Sequence, residues 1–303
     1  MKRAAFAMSL ACCLAACATA PRTSAHPMIA VTVDDLPVHG AIPKGETNTG
    51  VARAVISALK AQDIAAYGFV NGYWTEKDPA TSEVLSLWRA AGLPLANHGW
   101  SHRHLNEMTA GEFEQELVRN EPLLRMGAED WHWFRYPFLD EGEDDAKRAA
   151  SRDVLTRHDY KVAAVTMDFS DWAWTAPYAR CRDAGDEAAV KRLEEMFVKA
   201  ARESIEYSRG LARTIYGRDI PYVLLLHISA FEGRMLPRLL QLYRDEGFRF
   251  VSLAEAESDP AYTDQVQLGL PAEPKGLEDK ASRKMPLPSR TDYQPALEAM
   301  CRN

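Results

Sequence analysis

Met28-Ile-Ala-Val-Thr-Val-Asp34-Asp35 is an apolar, largely β-branched run that stops abruptly on two carboxylates. A short run of this kind, closed by a Pro- and Gly-containing loop, reads as a strand buried on both faces. The same pattern recurs down the chain. Helical periodicity over 47–60 is followed by a strand at 65–70, a helix at 81–91 closed by Gly92, and a strand at 93–97. Helices over 109–126, 143–157, 186–210 and 235–245 then alternate with strands at 133–136, 161–167, 222–226 and 248–253. Alternation of this type argues for an α/β fold with a parallel sheet.

The polar residues fall where those strands stop. Asp34-Asp35, His98 to His102, Arg135, Asp168 to Asp171 and His227 each follow an apolar segment. In a β/α barrel the active site is built at the C-terminal ends of the strands, so five polar strand ends predict a barrel with one catalytic rim. An open doubly wound sheet is the alternative, but it gathers its ligand at a single switch point. The chain carries no Gly-rich dinucleotide fingerprint, P-loop or Gly-x-Ser-x-Gly elbow.

Composition bounds the function. The 303 residues are 47% hydrophobic and 26% charged, which suits a globular chain with a sizeable core. A net charge of -7 argues against nucleic-acid binding, which needs basic surface.

His98-Gly-Trp-Ser-His102 places two imidazoles four residues apart. On a helical turn they would face one ion together. Imidazole suits zinc and other late first-row metals, and a carboxylate as third ligand leaves positions open for water and substrate. The Asp34-Asp35 pair can supply that carboxylate and leave one over. Two adjacent buried carboxylates repel, so the pair itself asks for a cation. Taken singly, each position has a plainer reading: Arg135 as a surface ion pair, His227 as a core histidine, Asp168 and Asp171 as loop caps.

Five short motifs in this order resemble the NodB-type polysaccharide deacetylases, carbohydrate esterase family 4. They are Thr32-Val-Asp-Asp35, Asn97-His-Gly-Trp-Ser-His102, Arg135-Tyr-Pro-Phe138, Asp168 to Trp172, and Leu225-Leu-His227, with a closing strand at 248–253. The resemblance spans about residues 28–256 and implies a distorted (β/α)7 barrel. It implies that Asp35, His98 and His102 hold a divalent metal, zinc first, with cobalt, nickel or manganese as alternatives. By the same resemblance Asp34 is the general base and Arg135 its salt-bridge partner. His227 is the acid, oriented by Asp168. The backbone N–H of Phe138 serves the oxyanion, while Tyr136 and Trp172 stand on the substrate side. Three departures from the family pattern are Val33 for an aromatic, Gly99 for Ser or Thr, and His227-Ile-Ser for His-Asp. His104 is an extra imidazole beside the ligand pair, read as a rim residue rather than a ligand. Of the Trp residues, Trp100, Trp131, Trp133, Trp172 and Trp174 lie in or beside the motifs, either as sugar platforms or as packing.

The N-terminus reads as an address. Lys2 and Arg3 precede an uncharged apolar stretch that is too short to span a bilayer and fits an export signal. Leu14-Ala-Ala-Cys17 resembles a bacterial lipobox, which implies cleavage before Cys17 and lipidation of that residue. Ala18 after the Cys then suggests the periplasmic face of the outer membrane, with a soluble periplasmic or secreted protein as the alternative. The expected organisation is a signal at 1–16, a tether at 17–27, a deacetylase domain at 28–257 and a C-terminal extension at 258–303. Cys12 and Cys13 leave with the signal, so Cys181 and Cys301 remain in an oxidising compartment and are expected to pair, the alternative being two free thiols. The expected activity is metal-dependent removal of N-acetyl or O-acetyl groups from an amino-sugar polysaccharide. The alternatives are a catalytically weak glycan-binding lipoprotein, or a deacylase or deformylase acting on a non-polymeric amide.

Overall fold

The computed structural model describes residues 26–127, 130–270 and 276–302. The export signal, Cys17 and nearly all of the tether lie outside the described residues. Among the described residues seven parallel strands form one sheet: β1 (Met28–Leu36), β2 (Tyr67–Val70), β3 (Leu95–Asn97), β4 (Trp133–Phe134), β5 (Lys161–Val162), β6 (Tyr222–His227) and β7 (Arg249–Phe250). The order is β5-β4-β3-β2-β1-β6, with β7 paired to the start of β1. A parallel bridge from Met167 to Leu224 brings the chain beyond β5 against β6, so the sheet curls round on itself. This is the distorted parallel barrel that the polar strand ends predict. Ile29, Ala30, Val33, Leu224 and Leu226 are completely buried, as strands with no solvent face require.

Helix starts follow local capping chemistry. Thr109 and Glu112 form a reciprocal capping box at the helix Ala110–Leu124. Asp186 caps the helix Glu187–Tyr216, which runs past the expected stop at Gly210 and ends on left-handed Gly217. One interior glycine costs only about 1 kcal/mol, and the apolar face continues beyond it through buried Leu211 and Ala212. Ser229 caps a helix that starts at Ala230, ahead of the expected 235. A helix at Thr175–Ala184 was not foreseen as an element; its stop is again a left-handed glycine, Gly185.

The strand expected over 161–167 is regular only to Val162. Beyond it the ladder is interrupted at 163–164, where Arg135 donates to the carbonyls of Ala163 and Ala164 and Glu257 accepts from the Ala164 N–H, before backbone bonds resume from Thr166 and Met167 to Val223. The tail folds back onto the barrel. Leu277, Ala281 and Leu297 are buried in the main core. Cys181 and Cys301 are disulfide-bonded, across 120 residues of sequence, and Arg180 donates to the carbonyls of Leu297 and Met300. Among the described residues no helix is long and apolar enough to cross a membrane.

Candidate active site

Consecutive residues of a regular strand point to opposite faces, so Asp34 and Asp35 need a device to act together. The register of β1 against β2 shifts between Val33 and Leu36, and Asp35 sits in the left-handed region at φ 64. Aspartate tolerates that conformation better than most residues. Both carboxylates therefore reach the same imidazole: His98 Nε2 is 3.6 Å from Asp34 Oδ2 and 3.5 Å from Asp35 Oδ1.

The histidine pair is not on a helical turn. Residues 98–104 are an irregular loop, with Gly99 at φ 73 and His102 at φ 54. The glycine thus supplies backbone freedom where the family pattern has a hydroxyl. The loop is instead fastened by amides and a carboxylate. Asn71 donates to the carbonyls of His98 and Gly99, Asn97 accepts from the Gly99 N–H, and Glu116 accepts from the N–H and hydroxyl of Ser101. His98 Nδ1 lies 2.8 Å from the Arg135 carbonyl, which can only accept, so Nδ1 carries the proton and Nε2 offers its lone pair. His102 Nε2 stands 3.4 Å from Asp35 Oδ1.

Asp35, His98 and His102 thus present ligand atoms all within 4.8 Å of one another. Asp35 Oδ1 is buried with no hydrogen-bond partner, which is costly for an anion and is relieved by a cation at that point. Burial and the neighbouring His98 push the His102 imidazole down to about 4, leaving it neutral and able to ligate near pH 7. Burial opposes ionisation of Asp35, yet the His39 hydrogen bond and the nearby His227, His98 and His102 hold its carboxyl well below the usual range. The donor set fits a divalent metal.

Asp34 is 1% exposed, and Arg135 Nη1 lies 3.3 Å from each of its oxygens. The guanidinium is equally buried, donates to the Ala163 carbonyl and to Thr32 Oγ1, and stacks over Phe69. The surface ion-pair reading of Arg135 is thereby excluded. Asp34 is register partner to His227 across β1 and β6, which sets base and acid candidates side by side at one rim.

His227 Nδ1 is 2.8 Å from Asp171 Oδ1, and its backbone N–H donates to Asp171 Oδ2. Asp171, not Asp168, is the partner. Asp168 accepts from the Ser170 N–H and shapes the turn in which Ser170 is left-handed, at φ 59; burial and the charge of Asp171 raise its carboxyl above the usual range. Burial alone would lower His227, but Asp171, Asp35 and Asp34 outweigh it and carry the imidazole up to about 10.

A second correction concerns Tyr136. It is buried in a satellite core beside Phe113 and Phe134, with its hydroxyl 3.0 Å from Ser151 Oγ, and does not face substrate. Phe138, at φ 57, turns outward instead and is 55% exposed. No acceptor among the described residues takes its N–H. Trp172 is 44% exposed on the other arm of the rim, while Trp133 and Trp174 are core residues and Trp100 packs under Arg119. His104 stacks on Phe138 at 3.7 Å and approaches Asp140, so it buttresses the rim and stands apart from the ligand cluster. Two residues at the site went unread in the sequence. His39 lies 2.6 Å from Asp35 Oδ2. Glu232, in the helix after His227, is buried with neither carboxylate oxygen partnered, and burial raises its carboxyl well above the usual range. Only the short distance of His39 from the acidic pair in sequence could have flagged it.

Fold and rim together define a hydrolase built at the strand ends of a parallel barrel. The polysaccharide deacetylase family matches the chain over residues 22–180, and the chain belongs to that family. The match takes in Asp34, Asp35, His98, His102, Arg135 and the turn at 168–172; His227 lies beyond it. A CE4 family pseudoenzyme from Bacillus anthracis superposes with a TM-score of 0.53 at 14% identity, over 76% of this chain and 65% of that one. A mutant of it with restored enzymatic activity gives 0.53 at 15% identity, over 76% and 67%. A mutant of a peptidoglycan deacetylase from Bacillus subtilis gives 0.51 at 17% identity, over 81% and 98%. The chain spans about two thirds of the pseudoenzyme's length, and at these identities the likeness is one of fold.

Proposed function

We propose that the protein is a metal-dependent deacetylase of an amino-sugar polysaccharide in the cell envelope or outside it. The observation that carries this reading is a ligand cluster flanked by a separately supported base and acid: Asp35, His98 and His102 between Asp34–Arg135 and His227–Asp171. One carboxylate and two imidazoles suit zinc, with cobalt, nickel and manganese as competitors. A divalent ion held there supplies Lewis acidity, polarising an acyl carbonyl and making water a nucleophile near neutral pH. Asp34 takes the proton of the attacking water at a carboxylate oxygen, and Arg135 keeps that carboxylate oriented. The Phe138 N–H is free to donate to the developing oxyanion. His227, charged through its bond to Asp171, gives its proton to the departing amine. Phe138 and Trp172 offer exposed rings to sugar faces.

A pseudoenzyme shares this fold, so fold alone does not decide between catalyst and glycan binder. Binding would need neither a buried Asp34–Arg135 pair nor a charged His227, which favours the catalyst. Acetate release from acetylated glycans, with added zinc and with chelator, tests the reading; loaded protein that turns over no member of a broad panel would overturn it. The lipobox at 14–17 and the disulfide support an exported, lipid-anchored protein on the periplasmic side of the outer membrane. Loss of palmitate labelling in Cys17→Ser is the expected result there.

A further inference from the structure

The chemistry above leaves one imidazole in the groove without a task. His39 Nδ1 stands 2.6 Å from Asp35 Oδ2, and its ring centroid is 4.9 Å from that of His227. A carboxylate oxygen only accepts, so the proton of this bond sits on Nδ1. The other oxygen, Oδ1, is the buried unpartnered one facing His98 and His102. The two oxygens of Asp35 are therefore divided: Oδ2 is occupied by His39 and Oδ1 alone is turned to the ligand cluster. The loop that carries His39 is built in rather than loose. Gly40 follows at φ 66, and a Cβ there would stand 2.7 Å from the Thr175 methyl. Farther along the loop, the Lys44 N–H donates to Asp183.

We infer that His39 is a positioning residue that holds Asp35 as a one-oxygen ligand and so sets the affinity of the site for its divalent ion. The inference rests on the metal reading given above. Partners of this kind fix the orientation of a ligating carboxylate, and their loss typically costs about 10–100-fold in metal affinity.

Zinc and cobalt affinities, measured by competition against a chromophoric chelator, test it on the intact protein. His39→Ala is expected to weaken binding by about 10–100-fold while leaving the Tm of the metal-free protein unchanged. In His39→Asn the side-chain amide overlays the Nδ1 edge of the imidazole and should recover most of the affinity. The d–d bands of the cobalt-loaded variants should stay where the wild type has them, since the ligand atoms are the same. Unaltered affinity in His39→Ala, alongside lost affinity in His98→Ala, overturns the role of His39 and leaves the metal site standing. A band shift in His39→Ala overturns it too, because His39 would then be a ligand itself. Wild-type protein that binds neither ion removes the metal reading, and this inference with it.

Discussion

The proposed base, Asp34, and the proposed acid, His227, are anchored in different ways. Asp34 is fastened to the sheet: it sits in β1, and Arg135, at the end of β4, reaches it while donating to Thr32 and Ala163. Every group in that chain of contacts belongs to a strand or its continuation. His227 also ends a strand, but its partner Asp171 lies outside the sheet, at the start of a single 3₁₀ turn over Asp171–Trp174. That turn is supported by Asp168, by left-handed Ser170, and from the tail by Arg290, which donates to the Asp168 carbonyl. Sheet register fixes the first pair, whereas the second depends on a turn whose support comes from distant sequence. The base should therefore tolerate changes in the tail, and the acid should feel them.

The largest expected effect is on the sheet-anchored side. Asp34→Asn should lower kcat by about 10²–10⁴-fold with metal content retained; wild-type turnover in that variant breaks the base assignment. On the turn-anchored side, Asp171→Asn should cost about 10²-fold or more in kcat, and Asp168→Asn only a few-fold. The reverse ranking would return the orienting role to Asp168.

The pH profile sharpens the contrast further. An acid works only when protonated, and the folded His227 holds its proton up to about 10. Activity should accordingly persist through neutral pH and fall on the alkaline side as that proton leaves. A bound cation offsets the charge of Asp35, so the limb falls at or below 10 and above the ordinary histidine value of about 6.5. Asp171→Asn should move the limb down towards that ordinary value. A limb that does not move in this variant breaks the pairing.

Smaller effects test the supports. Cys301→Ser opens the 120-residue cross-link and should cost about 2–5 kcal/mol in urea unfolding, with metal affinity unchanged. Equal stability of oxidised wild type and variant would show that the staple adds nothing. Smallest of all, Tyr136→Phe loses one buried hydrogen bond, about 0.5–1.5 kcal/mol, and should leave KM and kcat alone; a raised KM would put Tyr136 back on the substrate side.

Much of the barrel and of the Asp35–His98–His102 cluster was legible because buried parallel strands write themselves as apolar runs, and the residue after each run lies at the rim. Asp34, Asp35, His98, His102, Arg135 and His227 could all be placed by that rule. The rule fails where backbone leaves the regular menu. The left-handed residues Asp35, His102 and Ser170 redirect side chains in ways that spacing does not encode. The histidine pair therefore looked helical, and the motif spacing selected Asp168 over Asp171. Tyr136 alternates inward, between Arg135 and outward-turning Phe138, and a four-residue motif does not say which face is which. Side-chain bonds from Arg135 and Glu257 cut short the expected strand over 161–167, a competition that only contacts across 28–93 residues reveal.

The disulfide also has a meaning in time. Synthesis runs from Asp34 towards Cys301, so Asp34, Asp35, His98 and His102 are made before the tail that steadies the turn beside His227. A nascent chain that has just released His227 already holds all the chemistry in its sequence. It still lacks Arg290 against Asp168 and the Cys181–Cys301 bond. Completion of the surroundings of Asp171 and His227 is thus tied to the last stretch of chain and to an oxidant that closes the Cys181–Cys301 bond.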